Sequence, residues 1–292
     1  MESFLETRRR DVEIAIEACG VCGSDVHTLT GGWGQAKFPV CVGHEVIGKV
    51  VAIGPETTTV YVGDRVGVGA LVWACLDCKV CKSGNENYCP HQFDTYSCYY
   101  PDKSMAYGGY ANHIRAHEYF VFAIPESLDS SLTAPMIGGL GHFGILFAAA
   151  LGAEVYAISH SPNKEADAKA LGAKGFICTN NGGWNEPWRN NFDFILNATD
   201  ATDRFDMAAY FSLLTVNGTF HTVGISDKDH IGSREEVQEM LRLAAKLDIK
   251  SWVETIDISE EGCKTAVEKV YNGDVRYRVT LAGYDKVFGN RE

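Results

Sequence analysis

Long apolar runs are missing from this chain. The longest, Ile145 to Leu151, falls far short of the ~20 residues with which a helix crosses a bilayer. Met1 to Arg10 has no apolar core of the kind a signal peptide carries. The expectation is a soluble protein of the cytoplasm, with no membrane partner. Positive charge is scarce as well: 26 Lys and Arg face 38 Asp and Glu, for a net charge of −12, and the one basic cluster is Arg8, Arg9 and Arg10. A surface of that sign repels a phosphate backbone, which excludes nucleic acid as a partner.

Cysteine, by contrast, is plentiful, with ten in 292 residues. In a chain of this length without an export signal, cysteines point to metal before disulfides. Cys75, Cys78, Cys81 and Cys89 stand in the spacing C-x2-C-x2-C-x7-C. Four thiolates on one tight loop match a closed tetrahedral zinc site that holds together a lobe with little core of its own. An iron–sulfur cluster also uses four thiolates and ranks second. A second metal set lies upstream, between Glu17 and Ala52, where Cys22 and the adjacent His44 and Glu45 offer a thiol, an imidazole and a carboxylate among glycines.

At 292 residues with 46% hydrophobic content, the chain suits two domains. Asp11 to Ala18 alternates with period two, as a half-buried strand does. Val46 to Ile53 and Arg65 to Val68 extend a β-rich first part. After Pro135 apolar strands alternate with helices: strands at Glu154 to Ser159, Gly175 to Thr179, Phe192 to Thr199 and Thr219 to Ile225, with helices near Lys164 to Leu171 and Phe205 to Leu214. That alternation implies a parallel sheet of the dinucleotide-binding type.

Gly139, Gly141 and Gly144 match G-x-G-x-x-G before an apolar helix, a loop whose backbone N–H groups can approach a pyrophosphate. At the end of the next strand an NAD site carries an acid for the ribose hydroxyls. Here Ser159, Ser161 and Lys164 supply hydroxyls and a cation without an acid, which suits the 2′-phosphate of NADP. The same residues also read as a polar loop capping the following helix.

Taken together, CGVCGSDVH, GHEVIGKVVAIG, GDRVGVG, the four-cysteine lobe, GGYA, GGLGHFG and the closing GDVRYR resemble the zinc-dependent medium-chain alcohol dehydrogenases, in their cinnamyl alcohol dehydrogenase-like, NADP-dependent branch. The resemblance covers nearly the whole chain. It implies an α/β fold, with a GroES-like β-rich catalytic domain at 1–135 (structural zinc lobe at 73–98), a Rossmann-type domain at 136–256 and a return to the catalytic domain at 257–292. It also implies a catalytic zinc centre at Cys22, His44 and Glu45, the first two as ligands and Glu45 as a nearby carboxylate that can exchange with water on the metal, structural zinc on the four clustered cysteines, and NADP on Gly138, Gly139, Leu140, Gly141, Ser159, Ser161 and Lys164. Ser24 and His27 fall at the proton relay, Asp25 beside the metal ligands and Trp33 at the substrate cleft, with packing roles open for His27 and Trp33. The activity implied is hydride transfer between NADP(H) and a primary alcohol or aldehyde, aromatic or otherwise apolar, in a homodimer.

Two departures from the family stand out. Relatives place a cysteine, the third protein ligand of the catalytic zinc, then a helix and the first Rossmann strand between Pro135 and the glycine loop. In this chain Pro135 is followed by Met136, which takes the place of the family's first glycine, and then directly by the loop. The chain is internally shortened, without the central strand of its cofactor sheet, and a second gap follows Ile225-Ser226. The alternative function is a non-catalytic remnant that retains structural zinc alone.

Overall fold

The computed structural model describes residues 9–100, 102–137, 141–199, 206–223 and 231–289. The chain forms two compact units, Met1–Gly139 with His230–Glu292, and Leu140–Asp229. The first unit opens with β1 (Asp11–Val21) and α1 (Gly23–Thr30), followed by β2 (Glu45–Ile53), β3 (Arg65–Val68) and β4 (Leu71–Trp73). Then come α2 (Lys79–Lys82), β5 (Phe93–Asp94), β6 (His113–His117), β7 (Val121–Ala123) and α3 (Ser130–Thr133). The second unit holds α4 (Gly141–Ala150), β8 (Tyr156–Ser159), α5 (Glu165–Ala170), β9 (Gly175–Cys178), β10 (Phe192–Asn197), α6 (Met207–Phe211) and β11 (Leu214–Thr222). The chain returns to the first unit with α7 (Arg234–Lys246), β12 (Val253–Asp257), α8 (Glu260–Asn272) and β13 (Arg278–Ala282).

In the first unit the sheet runs β12-β13-β1-β2-β3-β7, with β6 also on β1. The alternation of β1 gives one face to the core: Val12, Ile14 and Ile16 are buried, while Glu13, Ala15 and Glu17 are only partly so. Register shifts against β2 follow Glu13 and Ile16, and beyond the second every residue from Ala18 to Val21 is buried, because β13 covers this end from the other edge. The core is β-branched and dense, with Ile14, Val46, Val50, Val66, Val279 and Leu281 all at or near zero exposure. This fully buried stretch delivers the chain to Cys22.

Two glycines are required here. Gly20 lies opposite Glu45, and a Cβ on it would sit 1.9 Å from Glu45 Oε2. Gly43, with φ +104°, turns the chain into His44 in a conformation that side chains other than glycine rarely adopt, and a Cβ there would strike Tyr110, Cys19 and the Gly109 amide.

In the second unit β8 pairs in parallel with β9, and β10 with β11. These are two separate two-stranded sheets. Among the described residues no ladder joins β8 to β10, the edges between which the missing first strand would belong. The remaining sequence expectations fall near their marks, with two exceptions. The last strand starts at Leu214 rather than Thr219, since the chain turns back through Asn217 at positive φ and resumes pairing at Thr219. The stretch Ile249 to Ile256 also reads as a strand in the sequence, but residues 249–252 precede β12 instead of beginning it, and the Ile249 amide closes α7 on Ala244 O.

The return to the first unit also comes at 230 rather than 257. Asn87 Nδ2 donates to Ile231 O and the Arg234 amide to Glu86 Oε1, which fixes the start of α7 in the first unit. No single described helix is long and apolar enough to cross a membrane.

Candidate active site

The four-cysteine lobe forms as its spacing implies. Sulfur–sulfur distances are 3.5 Å for Cys78–Cys81, 3.5 Å for Cys75–Cys89 and 3.9 Å for Cys75–Cys81. Tetrahedral Zn–S bonds of ~2.3 Å place sulfurs about 3.8 Å apart, so the cradle fits zinc. Backbone amides point at the sulfurs, from Cys81 to Cys78 at 3.5 Å and from His91 to Cys89 at 3.4 Å. The Cys75 thiol is lowered to about 6, chiefly by the Asp77 and Cys78 amides. The lobe's own core is small, made of Leu71, Ala74, Cys81, Cys89 and Phe120, which is why a metal is needed to hold it.

The second set is built where β1 ends and β2 begins. Cys22 precedes α1, and its amide donates to Asp25 Oδ2 at 2.9 Å. Asp25 is fully buried, and its Oδ1 accepts from the Gly43 amide at 3.0 Å and lies 3.2 Å from His44 Nδ1. One carboxylate therefore ties the two ligand-bearing segments together. It fixes the imidazole with Nδ1 toward Asp25, leaving Nε2 as the donor for a metal. The Tyr96 hydroxyl lies 3.4 Å from His44 Nδ1, and the Tyr110 hydroxyl donates to Asp25 Oδ2 at 3.4 Å.

The ligand atoms of Cys22, His44 and Glu45 lie within 4.8 Å of one another. Thiolate, imidazole and carboxylate form a donor set that suits zinc with an open fourth position. Among the described residues, this group contains these three and no counterpart of the family's third cysteine.

Electrostatics follow from burial against pairing. Burial pushes the Asp25 carboxyl up, but the charge of His44 and hydrogen bonds from His44, Cys22 and Tyr96 outweigh it and hold the group below its usual range. Burial presses His44 down, yet Asp25 beside it drives the imidazole well above its ordinary value. Burial raises the Cys22 thiol, while the hydrogen bond to His44 and the charges of His44 and Arg278 bring it to a net decrease. Glu45 shows the opposite balance: burial wins over Arg278 and His44, and its carboxyl is raised.

Ser24 Oγ is 3.7 Å from Cys22 Sγ. His27, one turn on along the same face of α1, stacks on Trp33 with ring centroids 5.0 Å apart. Trp33 is thus the packing partner of His27 and at the same time half exposed. Of the cofactor candidates, Gly138, Gly139 and Leu140 lie outside the described residues. Gly141 opens α4. Ser159 ends β8, its Oγ accepting from the Ser161 amide at 3.2 Å, and Lys164 follows on an exposed turn. This is the carboxyl end of the strand, where a doubly wound sheet takes a nucleotide.

Sequence reading missed Tyr96, Tyr110 and Arg278. The last donates from Nη2 to both carboxylate oxygens of Glu45. Its only signal was the closing GDVRYR stretch, which marks a position and not a partner.

A β-rich lobe carrying two zinc-type donor sets, joined to a parallel α/β unit with a glycine loop, defines a zinc-dependent dehydrogenase. Residues 8–126 match the alcohol dehydrogenase GroES-like domain, and residues 139–246 the zinc-binding dehydrogenase family. The chain belongs to the zinc-dependent alcohol dehydrogenases. It is 39% identical to NADP-dependent alcohol dehydrogenase 6 of Saccharomyces cerevisiae over 96% of this chain and 91% of that one, and 32% identical to probable cinnamyl alcohol dehydrogenase 3 of Oryza sativa over 93% and 86%. The yeast alignment runs to 326 positions, more than the 292 residues of this chain, as internal shortening requires. Among solved structures, a cinnamyl alcohol dehydrogenase of Sorghum bicolor superposes with a TM-score of 0.87 at 28% identity, covering 97% of this chain and 92% of that one. One from Helicobacter pylori, complexed with NADP(H), gives 0.84 at 26% identity, covering 94% and 90%.

Proposed function

We propose that this chain transfers hydride between NADP(H) and a primary alcohol or aldehyde, with an aromatic or otherwise apolar group on the carbon that reacts. The observation that carries the reading is the Cys22, His44 and Glu45 donor set backed by buried Asp25. Zinc held there supplies Lewis acidity to the substrate oxygen.

The chain's own residues do the rest. Asp25 holds His44 in one tautomer and orientation, and ties it through the backbone to Cys22. Ser24, beside the Cys22 sulfur, is placed to exchange a proton with the substrate oxygen. His27, on the same face of α1, is placed to carry that proton toward solvent. Trp33 and Phe38 expose aromatic surface in the segment just beyond α1, which suits an apolar substrate. Two relatives are named for cinnamyl alcohol, and the hydroxyls and cation at Ser159, Ser161 and Lys164 suit the 2′-phosphate of NADP.

The purified chain should reduce benzaldehyde or cinnamaldehyde with NADPH and carry two zinc ions. Turnover no greater than that of a Cys22→Ala control would sink the proposal. One zinc per chain would point instead to the non-catalytic remnant. We read the chain also as a homodimer, on family likeness alone, which light scattering of the purified protein tests, and as a protein of the cytoplasm.

A further inference from the structure

Glu45 is the contested member of the second donor set. It lies on β2 and Arg278 on β13, on opposite sides of β1. The carboxylate reaches across the intervening strand through the gap left by Gly20, where any Cβ would collide with Glu45 Oε2. Arg278 Nη2 meets both oxygens there. The glutamate is fully buried, and the arginine side chain is 13% exposed. The charge of the same guanidinium also reaches the Cys22 thiol. Two ion pairs therefore border the Cys22, His44 and Glu45 group, His44 with Asp25 and Arg278 with Glu45.

These pairs differ in what they leave for a metal. Asp25 uses Nδ1 of His44 and leaves Nε2 free. Arg278 engages both oxygens of Glu45, so a cation approaching Cys22 and His44 must compete with a guanidinium for the third donor. It also meets a fixed positive charge beside the Glu45 carboxylate, which repels a divalent ion where water does not screen it.

We propose that Arg278 is a positioning residue that holds Glu45 in reserve, so that zinc at this centre rests on Cys22 and His44 and exchanges far more readily than zinc on the four cysteines. This rests on the reading of Cys22, His44 and Glu45 as a zinc centre. Outer partners of metal ligands typically change affinity by about 10–100-fold when altered. In this arrangement the change on removing Arg278 is a gain, because it frees a carboxylate and removes a cation.

The test is competition of the zinc-loaded full chain against a chromophoric chelator, with cobalt substitution to tell a one-thiolate from a four-thiolate site by its absorption. The four-cysteine zinc serves as the internal control for folding. Arg278→Gln should tighten the Cys22–His44 site by about tenfold or more and leave the four-cysteine site unchanged. Arg278→Lys, which keeps the charge, should stay close to the parent.

The double variant Glu45→Gln/Arg278→Gln removes both charges together and leaves none buried and unpaired, so it remains informative if the single Gln variant fails to fold. It should bind zinc within about threefold of the parent, since Glu45 is not a resting ligand. Zinc binding unchanged or weaker in Arg278→Gln, or weakened about tenfold or more in the double variant, would overturn the proposal and make Arg278 a support for a ligating Glu45. One zinc per chain in the parent and in every variant would instead remove the zinc centre itself, and the proposal with it.

Discussion

Asp25 and Glu118 show how a single buried carboxylate organises distant backbone in this fold. Asp25 joins the end of β1 to the start of β2 through the amides of Cys22 and Gly43. Glu118 does the same for the first unit's surface loop: its Oε2 accepts from the amides of Thr58 and Thr59, both at 2.8 Å, and from Thr59 Oγ1 at 2.7 Å, while Oε1 pairs with Arg10. Burial raises the Glu118 carboxyl, but the Thr58 and Thr59 donors and Arg10 bring it below its usual value. A depressed folded value means that its stabilisation is complete above the ordinary glutamate range and fades as pH falls through the folded value. Glu118→Gln should therefore cost about 1–3 kcal/mol at pH 7, and the difference from the parent should shrink toward zero in acid. Urea unfolding of both proteins across that range measures it, and a pH-independent difference would refute the linkage.

The short elements of the zinc lobe position a long one. Between Cys81 and Cys89 a single 3-10 turn, Glu86–Tyr88, presents Glu86 to the Arg234 amide and Tyr119 hydroxyl, and Asn87 to the Ile231 carbonyl. Glu86 thus supplies negative charge at the N-terminus of α7, where the helix dipole favours it. Ser233 and Glu236 complete a capping box at the same place. Stripping the four-cysteine zinc should release this turn, and the first amides of α7 should exchange faster while those of β1 and β2 keep their protection. Hydrogen exchange with and without chelator reads this directly, and equal acceleration throughout the first unit would count against it.

The Ser233 to Glu236 capping box of α7 and its apolar face of Met240, Leu241, Ala244 and Ala245 can be read directly from the sequence, because both are local. So can the start of β1, whose period-two alternation reports a half-buried strand. Its extension to Val21 cannot, since Cys19 to Val21 are buried by β13, a partner from the far end of the chain. The Glu45–Arg278 pair, 233 residues apart in sequence, was invisible for the same reason. The Cys22, His44 and four-cysteine sets were readable because metal chemistry restricts residue type and spacing more tightly than packing does.

At the scale of the molecule, the two units differ in how well their sheets are satisfied. The first has a continuous sheet and a dense β-branched core. The second has two parallel pairs without a described connection, although parallel strands are stable mainly when neighbours and helices cover them on both sides. Its apolar residues are exposed accordingly: Val216 is 88% and Phe194 57% accessible, and Leu151, Leu196, Met207 and Phe211 are open as well. Burial of such side chains contributes roughly 1.5–3 kcal/mol each, so this unit forgoes stabilisation that the first unit has. Calorimetry of the zinc-loaded chain should accordingly show two transitions, the lower from residues 140–229. Chelation should depress only the upper one, because both zinc sets belong to the first unit. Because a ligand stabilises only the state that binds it, by about 2.7 kcal/mol at a hundredfold excess over Kd, NADPH should raise the lower transition if Gly141, Ser159, Ser161 and Lys164 hold it. A single cooperative transition, moved equally by chelator and by NADPH, would show instead that the units unfold together and that the missing strand leaves no separate weakness.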